Sequence, residues 1–230
     1  MNTMFRLSLL SLCLLLGCSA PQPFGAAEQN RAIARAIRGT ADFSIDGGAK
    51  WKRLKAGTKL NSGTSVRAAS GSSVDLFMNE NGPFVRVAEN STVTIRTLTV
   101  DRTGVDNLIH TELQLQAGRI FGFVRTLSAA SKYMIRFPSG YAEVRETRYD
   151  ISADGTVAVI EGKVPVTYNV RGTALEPVIV NAGQTVSPPT APGEVPKVRA
   201  IPPDVLNQIR EANKEKEVPL PLQHTEIISP

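Results

Sequence analysis

The stretch Ser73-Val74-Asp75-Leu76-Phe77-Met78 decides the fold class, because Val74, Leu76 and Met78 alternate with the residues between them. Successive side chains of a β-strand point to opposite faces, so this period of two predicts a strand with one face on a core. Similar alternation recurs through the middle of the chain, in residues 83–87, 92–96, 109–115, 132–137 and 163–170. The sequence therefore predicts a series of half-buried strands.

Turn signals that contain glycine separate these segments. They are Asp46-Gly47-Gly48, Asn61-Ser62-Gly63, Glu80-Asn81-Gly82, Ala153-Asp154-Gly155 and Glu161-Gly162. Many short strands joined by regular turns predict an all-β fold, an antiparallel β-sandwich or roll, with short helices flanking it. We place this β domain at residues 40–186.

The segment just before the β domain, residues 28–38, has an amphipathic pattern. Ile33 and Ile37 lie four residues apart, while Arg31, Arg35 and Arg38 fall on another face of a helix. This spacing predicts a short basic helix. It either lies on an anionic membrane surface or caps the β domain with its arginines in water.

The chain after the β domain, residues 187–230, begins with a proline-rich linker. A short helix is predicted from Asp204 to about Lys216, with Asp204 as its N-cap and Val205, Leu206 and Ile209 as its apolar stripe. The last residues are expected to be flexible, and we expect residues 188–230 to contribute little to stability.

The N-terminus carries an apolar run, Leu7 to Leu16, that is too short to cross a bilayer as a permanent helix. It ends in Leu15-Leu16-Gly17-Cys18, which resembles the bacterial lipobox. The resemblance implies that residues 1–17 are a signal peptide and that Cys18 is lipid-modified. Residues 18–39 would then contain the lipid anchor, a tether and the short helix. It places the protein on the periplasmic face of a bacterial envelope membrane, and it favours the outer membrane over the inner membrane. An ordinary signal peptide with an incidental cysteine is the alternative.

The residue inventory excludes several classes of protein. Of the two cysteines, Cys13 lies in the predicted leader, so no intrachain disulfide is expected in the mature chain. The histidines, His110 and His224, have no neighbours at metal-ligand spacing, and no cofactor or metal is expected. The net charge of +5 is modest and its basic residues are scattered, which argues against nucleic acid as a partner.

The densest polar cluster is Glu143, Arg145, Glu146, Arg148 and Asp150. On an uninterrupted strand, Glu143, Arg145, Thr147 and Tyr149 would share one face, and Val144, Glu146 and Arg148 the other. Alternating charges on one strand most often form a solvated surface. If the cluster has a function, we expect Glu143, Arg145, Glu146 and Arg148 to bind a partner rather than to perform acid–base catalysis.

Short motifs follow one another in a fixed order across the β domain, at residues 51–67, 70–76, 81–87, 90–93, 113–120, 160–166 and 181–184. Two of them read Gln116-Ala117-Gly118 and Ile160-Glu161-Gly162-Lys163-Val164. Their order and spacing resemble the FecR domain, a periplasmic module named for an iron-dicitrate transport regulator. The resemblance implies a domain that binds or docks in the cell envelope.

The sequence departs from the FecR pattern in two ways. The family often has "VRGT" where this chain has Val144-Arg145-Glu146-Thr147, so a glutamate occupies the glycine position. We expect an ordinary strand conformation or a changed local contact there. FecR regulators also carry a cytoplasmic anti-sigma segment and a membrane-spanning helix. The sequence has neither pattern, so we do not expect the regulatory role itself to transfer.

These observations predict a non-enzymatic envelope lipoprotein that acts as a binding, scaffold or signalling-accessory module. Its expected partners are the membrane, through the N-terminal lipid, and an envelope protein or glycan. The alternative is a hydrolase of cell-wall or surface glycan. Exposed Trp51, Phe121 or Phe123 on a flat face would favour glycan binding, and a deep cleft with two carboxylates would favour the hydrolase.

Overall fold

The computed structural model describes residues 27–82, 84–191 and 193–213, and these form an all-β fold, as the sequence predicted. The first ten strands are β1 (Glu28–Gln29), β2 (Ala32–Arg38), β3 (Ala41–Ser44), β4 (Lys52–Arg53), β5 (Lys59–Leu60), β6 (Ser65–Ala68), β7 (Ser73–Phe77), β8 (Phe84–Val87), β9 (Ser91–Asp101) and β10 (Leu108–Ala117). The later elements are β11 (Arg119–Val124), β12 (Lys132–Phe137), β13 (Gly140–Glu143), β14 (Arg145–Ser152), β15 (Val157–Val170), β16 (Thr173–Ala174), β17 (Val178–Asn181), β18 (Gln184–Val186), β19 (Val198–Ala200) and the helix α1 (Pro203–Asn213).

Two runs of hydrogen-bonded strands enclose the core. One run is β2–β7–β8–β11–β14–β15–β18–β19. The other is β3–β6–β9–β10–β12–β13–β15–β17. All these pairs are antiparallel except β10–β12. The 14-residue strand β15 belongs to both runs and joins them.

The predicted alternation is confirmed in β7 and the residue that follows it. Val74, Leu76 and Met78 are each no more than 1% exposed and pack in the single large core. Burying a large aliphatic side chain stabilises the folded state by about 1.5–3 kcal/mol. The described residues contain no disulfide, so burial of the core is the main contribution to their stability. His110, which lies between buried residues of β10, is exposed.

The predicted helix at 28–38 is wrong, because this segment forms β1 and β2. Ala32 and Ala34 are fully buried two residues apart, and after a bulge between Ala34 and Ala36 the partly buried Ile37 also packs against the core. β2 pairs with β7 and β5, and β1 pairs with β9. Strand pairing has overridden the four-residue spacing that suggested a helix.

The C-terminal helix is confirmed over the described residues, although it begins at Pro203 rather than after an Asp204 N-cap. Ile209 is 5% exposed and packs with Ile201 against Ala158 and Ile160 of β15. β19 adds a further strand beside β18. The chain therefore keeps regular structure beyond residue 186.

The predicted signal peptide, the lipidation site Cys18 and the tail from 214 to 230 lie outside the described residues. Within the described ranges, no helix has the length and apolar character needed to cross a membrane.

Candidate functional site

Three neighbouring chain segments bend together at one corner of the fold. The bends fall at Glu146 between β13 and the body of β14, at Gly162 within β15, and at Gly183 between β17 and β18. All three residues have left-handed backbone conformations, with φ of 51°, 83° and 77°. The amide of Ala182 donates to the Gly162 carbonyl at 3.0 Å, which holds two of the bends side by side.

Glu146 is the exception among these bend residues, because a left-handed backbone costs a residue with a β-carbon about 1–2 kcal/mol. The expectation of an ordinary strand conformation at this position is therefore wrong. The structure keeps a conformation that suits the glycine of the FecR pattern and places a glutamate in it.

The bend at Glu146 also changes which side chains share a face. The β14–β15 register shifts between Arg145 and Arg148, so the strand is interrupted by a bulge. Thr147 and Tyr149 are fully buried, whereas Arg145 is exposed. The predicted common face for these three residues is therefore wrong, because the bulge reverses the alternation.

A cavity of about 840 Å³ lies at this corner. Its charged lining residues are Lys132, Glu143, Arg145, Glu146 and Lys163, contributed by β12, β13, β14 and β15. All five are exposed. Three of the four residues predicted to bind a partner thus line one cavity. The two lysines were not part of that prediction, because they reach the cavity only through the fold.

The rim of the cavity is held by Arg145. Its guanidinium donates to the carbonyls of Ala129 at 3.0 Å and Ser131 at 3.1 Å. The Ser131 hydroxyl in turn accepts the amide of Ile109 at 2.9 Å, which ties the 125–131 loop to β10. Arg145 therefore positions the loop.

Arg148, the fourth predicted site residue, lies elsewhere. Its guanidinium stacks over the ring of Phe123 at 4.9 Å and lies 3.4 Å from the carboxylate of Glu161. Both contacts are internal, so the structure assigns Arg148 to the packing of β11, β14 and β15.

A second cavity, of about 540 Å³, adjoins the first through Glu146. Arg125 and Phe123 also line it. The sequence offered no signal that these residues line one cavity, because they come from separate strands and a loop.

The aromatic residues proposed for glycan binding are capped by arginines. Arg119 stacks on Phe121 at 5.0 Å, Arg67 on Trp51 at 4.2 Å, and Arg148 on Phe123. Phe121 is only 7% exposed. A sugar ring stacks on a free aromatic face, and these rings do not present the flat exposed platform that was the condition for glycan binding.

Two ion pairs with buried carboxylates link strands on one outer sheet surface. Arg86 donates to Asp75 at 2.6 Å and 3.0 Å, and Arg119 pairs with Asp150. Burial raises the pKa of Asp150, and the Arg119 guanidinium opposes that rise. Both pairs link adjacent strands and lie away from the residues that line the corner cavity.

Metal chemistry has no visible support in the described part of the chain. Residues 27–82, 84–191 and 193–213 contain no group of three or more histidine, cysteine or carboxylate side chains able to hold a metal ion. The corner cavity instead offers ammonium and carboxylate groups, which bind ligands by charge and hydrogen bonding.

Comparison with known proteins supports the resemblance found in the sequence. Residues 64–165 match the family model described as "FecR protein". Two solved structures from Parabacteroides distasonis, both described as a "putative anti-sigma factor", match with 13% identity and TM-scores of 0.45 and 0.44. In each case the match covers 59% of this chain and 59% of the other. No curated protein matches this chain.

Proposed function

We propose that this chain, with its FecR-family match at residues 64–165, is a lipid-anchored, non-enzymatic module that binds a partner in the bacterial envelope. The FecR match supports a signalling-accessory role. The observation that carries the binding proposal is the corner cavity, which gathers charged side chains from four strands.

The size and lining of the cavity suit recognition. Ligand pockets commonly enclose about 300–1,000 Å³ and use a few placed polar groups for orientation. Among the described residues, Glu143, Glu146, Lys132 and Lys163 form no internal side-chain hydrogen bond or ion pair. Their charges are therefore available to a ligand.

A site-specific crosslinking experiment tests the binding role. A photo-crosslinking amino acid in place of Ala130, an exposed and uncharged residue that lines the cavity, is expected to give one discrete product in intact envelopes. The control position is Val105, which is fully exposed and does not line the cavity. Equal labelling from both positions, or no product from position 130, would contradict the proposal.

The anchor is proposed from Leu15-Leu16-Gly17-Cys18. Replacing Cys18→Ser is expected to abolish incorporation of labelled palmitate and to release the protein from the membrane fraction. The melting temperature of the domain should not change, because Cys18 precedes the first described strand. Continued sedimentation of the Cys18→Ser protein with protein-free lipid vesicles would count against the anchor.

Glycan hydrolysis is the second candidate, favoured by one observation: Glu143 and Glu146 line the same cavity. Glycosidases use two carboxylates, one of which is usually buried so that it stays protonated. Both glutamates here are exposed, which favours binding. Release of fragments from purified peptidoglycan by the wild type, abolished by Glu143→Gln or Glu146→Gln, would establish the hydrolase instead.

A further inference from the structure

The glutamate at the corner bend is not required by the fold. The bend needs a left-handed backbone, and Gly162 and Gly183 supply the same conformation in the adjacent segments. At Gly162 the need is steric as well, since a β-carbon there would lie 2.3 Å from the carbonyl oxygen of Glu146. Glycine at position 146 would adopt the same backbone at lower cost.

The side chain of Glu146 makes no contribution to the fold that would offset this cost. It is exposed and forms no hydrogen bond or ion pair with the described residues. Other carboxylates nearby are engaged by arginines, such as Glu161 with Arg148 and Glu112 with Arg136. Its carboxylate is therefore free for a group outside the chain.

The neighbouring charges define what that group must be. Glu143 adds a second unpaired carboxylate, and Lys132 and Lys163 add two unpaired ammonium groups to the same cavity. No ion pair among the described residues joins these opposite charges, so each group remains available to a ligand. A ligand with charges of both signs would satisfy all four, whereas a polyanion or polycation would meet repulsion from one pair.

The shape favours an elongated ligand. Glu146 lines both the cavity of about 840 Å³ and the adjoining one of about 540 Å³. Arg125 in the second cavity adds another positive charge beyond Glu146. Positive and negative groups are thus distributed over two cavities that share Glu146 as a lining residue.

We infer that the corner cavity binds a peptide segment that carries both basic and acidic groups. Glu143 and Glu146 receive the cationic group, and Lys132 and Lys163 receive the carboxylate. This inference rests on the proposed binding function of the same cavity and names the chemistry of its ligand.

The test is a selection from a random peptide library against the lipid-free, full-length mature protein carrying Cys18→Ser. The expected winners combine a lysine or arginine with an aspartate or glutamate. Glu146→Gln keeps the side-chain size and the bend, so its binding of a selected peptide should fall by about tenfold, the effect of one charged hydrogen bond. Glu161→Gln is the matched control, because it lies in the same corner but does not line the cavity, and it should bind like the wild type.

Glu146→Gly separates recognition from stability. This substitution is expected to raise the midpoint of unfolding, because it relieves the strain at the bend. Its affinity for the selected peptide should fall as much as that of Glu146→Gln. Three results would overturn the inference. They are a selection that enriches no peptide, one that enriches peptides with charges of a single sign or no charge, and undiminished binding of a selected peptide by Glu146→Gln. If a crosslinked product still forms from position 130 in envelopes, the proposed function survives that failure.

Discussion

The hydroxyl of Tyr149 occupies the space that a β-carbon on Gly122 would need. Gly122 of β11 and Tyr149 of β14 are paired residues, and a β-carbon built on Gly122 would lie 2.1 Å from the tyrosine oxygen. Tyr149 is fully buried, so its ring cannot move into solvent. The absence of a side chain at position 122 is thus what allows a large aromatic residue inside the core.

We predict that Gly122→Ala destabilises the protein by about 1–3 kcal/mol or more, because overpacking forces side chains and strands apart. Urea denaturation followed by circular dichroism measures the change. Gly104→Ala is the control, since its β-carbon would make only an ordinary contact, 3.6 Å from the Asp106 carbonyl. Equal stability of the two variants would contradict the packing relationship.

Removing the Tyr149 hydroxyl is predicted to cost no stability. The hydroxyls of Tyr133 and Tyr149 are buried and have no hydrogen-bond partner among the described residues. Burial, with the other tyrosine nearby, raises the pKa of Tyr133 well above its ordinary range. Deleting an unsatisfied buried polar group is neutral or stabilising. The urea concentration at the midpoint of unfolding should therefore be equal to or higher than that of the wild type for Tyr149→Phe.

Tyr168→Phe is the matched control for that substitution. The Tyr168 hydroxyl donates to the Gly155 carbonyl at 2.8 Å, and losing this hydrogen bond should cost about 1 kcal/mol. A loss for Tyr149→Phe as large as that for Tyr168→Phe would show that the Tyr149 hydroxyl has a partner.

The Arg119–Asp150 pair predicts a pH-dependent loss of stability. Asp150 is 1% exposed on its side chain, and Arg119→Met would leave its carboxylate buried and unpaired. The expected cost near pH 7 is about 2–3 kcal/mol, below the usual 3–5 for a fully buried pair, because the Arg119 side chain is 44% exposed.

The sign of the pH effect follows from the pKa. Burial raises the folded-state pKa of Asp150 above its ordinary 3.8, and loss of Arg119 raises it further. Protonation of this group then favours the folded state, so its contribution is fully present below the ordinary pKa and is lost as pH rises through the raised value. The difference between Arg119→Met and wild type should therefore shrink as the pH is lowered from about 7 towards about 4. Lys197→Met, which removes an exposed partner of Glu194, should show a cost below about 1 kcal/mol.

The strands of the central domain could be predicted because alternation is a local property. Val74, Leu76 and Met78 are buried where a period of two places them. The same reasoning failed at residues 32–38, where a bulge interrupts the alternation and isoleucines four apart suggested a helix. Pairing with β7 and β5 decides that segment, and pairing between distant strands leaves no local pattern.

The site was foreseen only in part for the same reason. Glu143, Arg145 and Glu146 are close in sequence, so their cluster was visible. Lys132 and Lys163 reach the same cavity through strand pairing. The left-handed bend at Glu146 was not predicted, because glutamate rarely adopts that conformation and its presence at a glycine position led us to expect an ordinary strand or a changed local contact.

The C-terminal segment is predicted to be part of the folded unit. The sequence suggested that removing residues 188–230 would cost little, but β19 pairs with β18, and Ile201 and Ile209 cover Ala158 and Ile160. We expect a chain ending at residue 187 to lose about 2–4 kcal/mol, because each isoleucine contributes about 1.5–3 kcal/mol of burial, partly offset by the entropy of ordering the segment.

A point substitution isolates the helix from the rest of that segment. Ile209 is 5% exposed, so Ile209→Ala in the full-length chain should cost about 2–4 kcal/mol. Val205, on the same helix, is 37% exposed, and Val205→Ala should change stability by less than about 0.5 kcal/mol. If Ile209→Ala and the chain ending at 187 both retain wild-type stability, α1 does not stabilise the sheet. If only the truncated chain is destabilised, the stabilisation comes from β19 and Ile201.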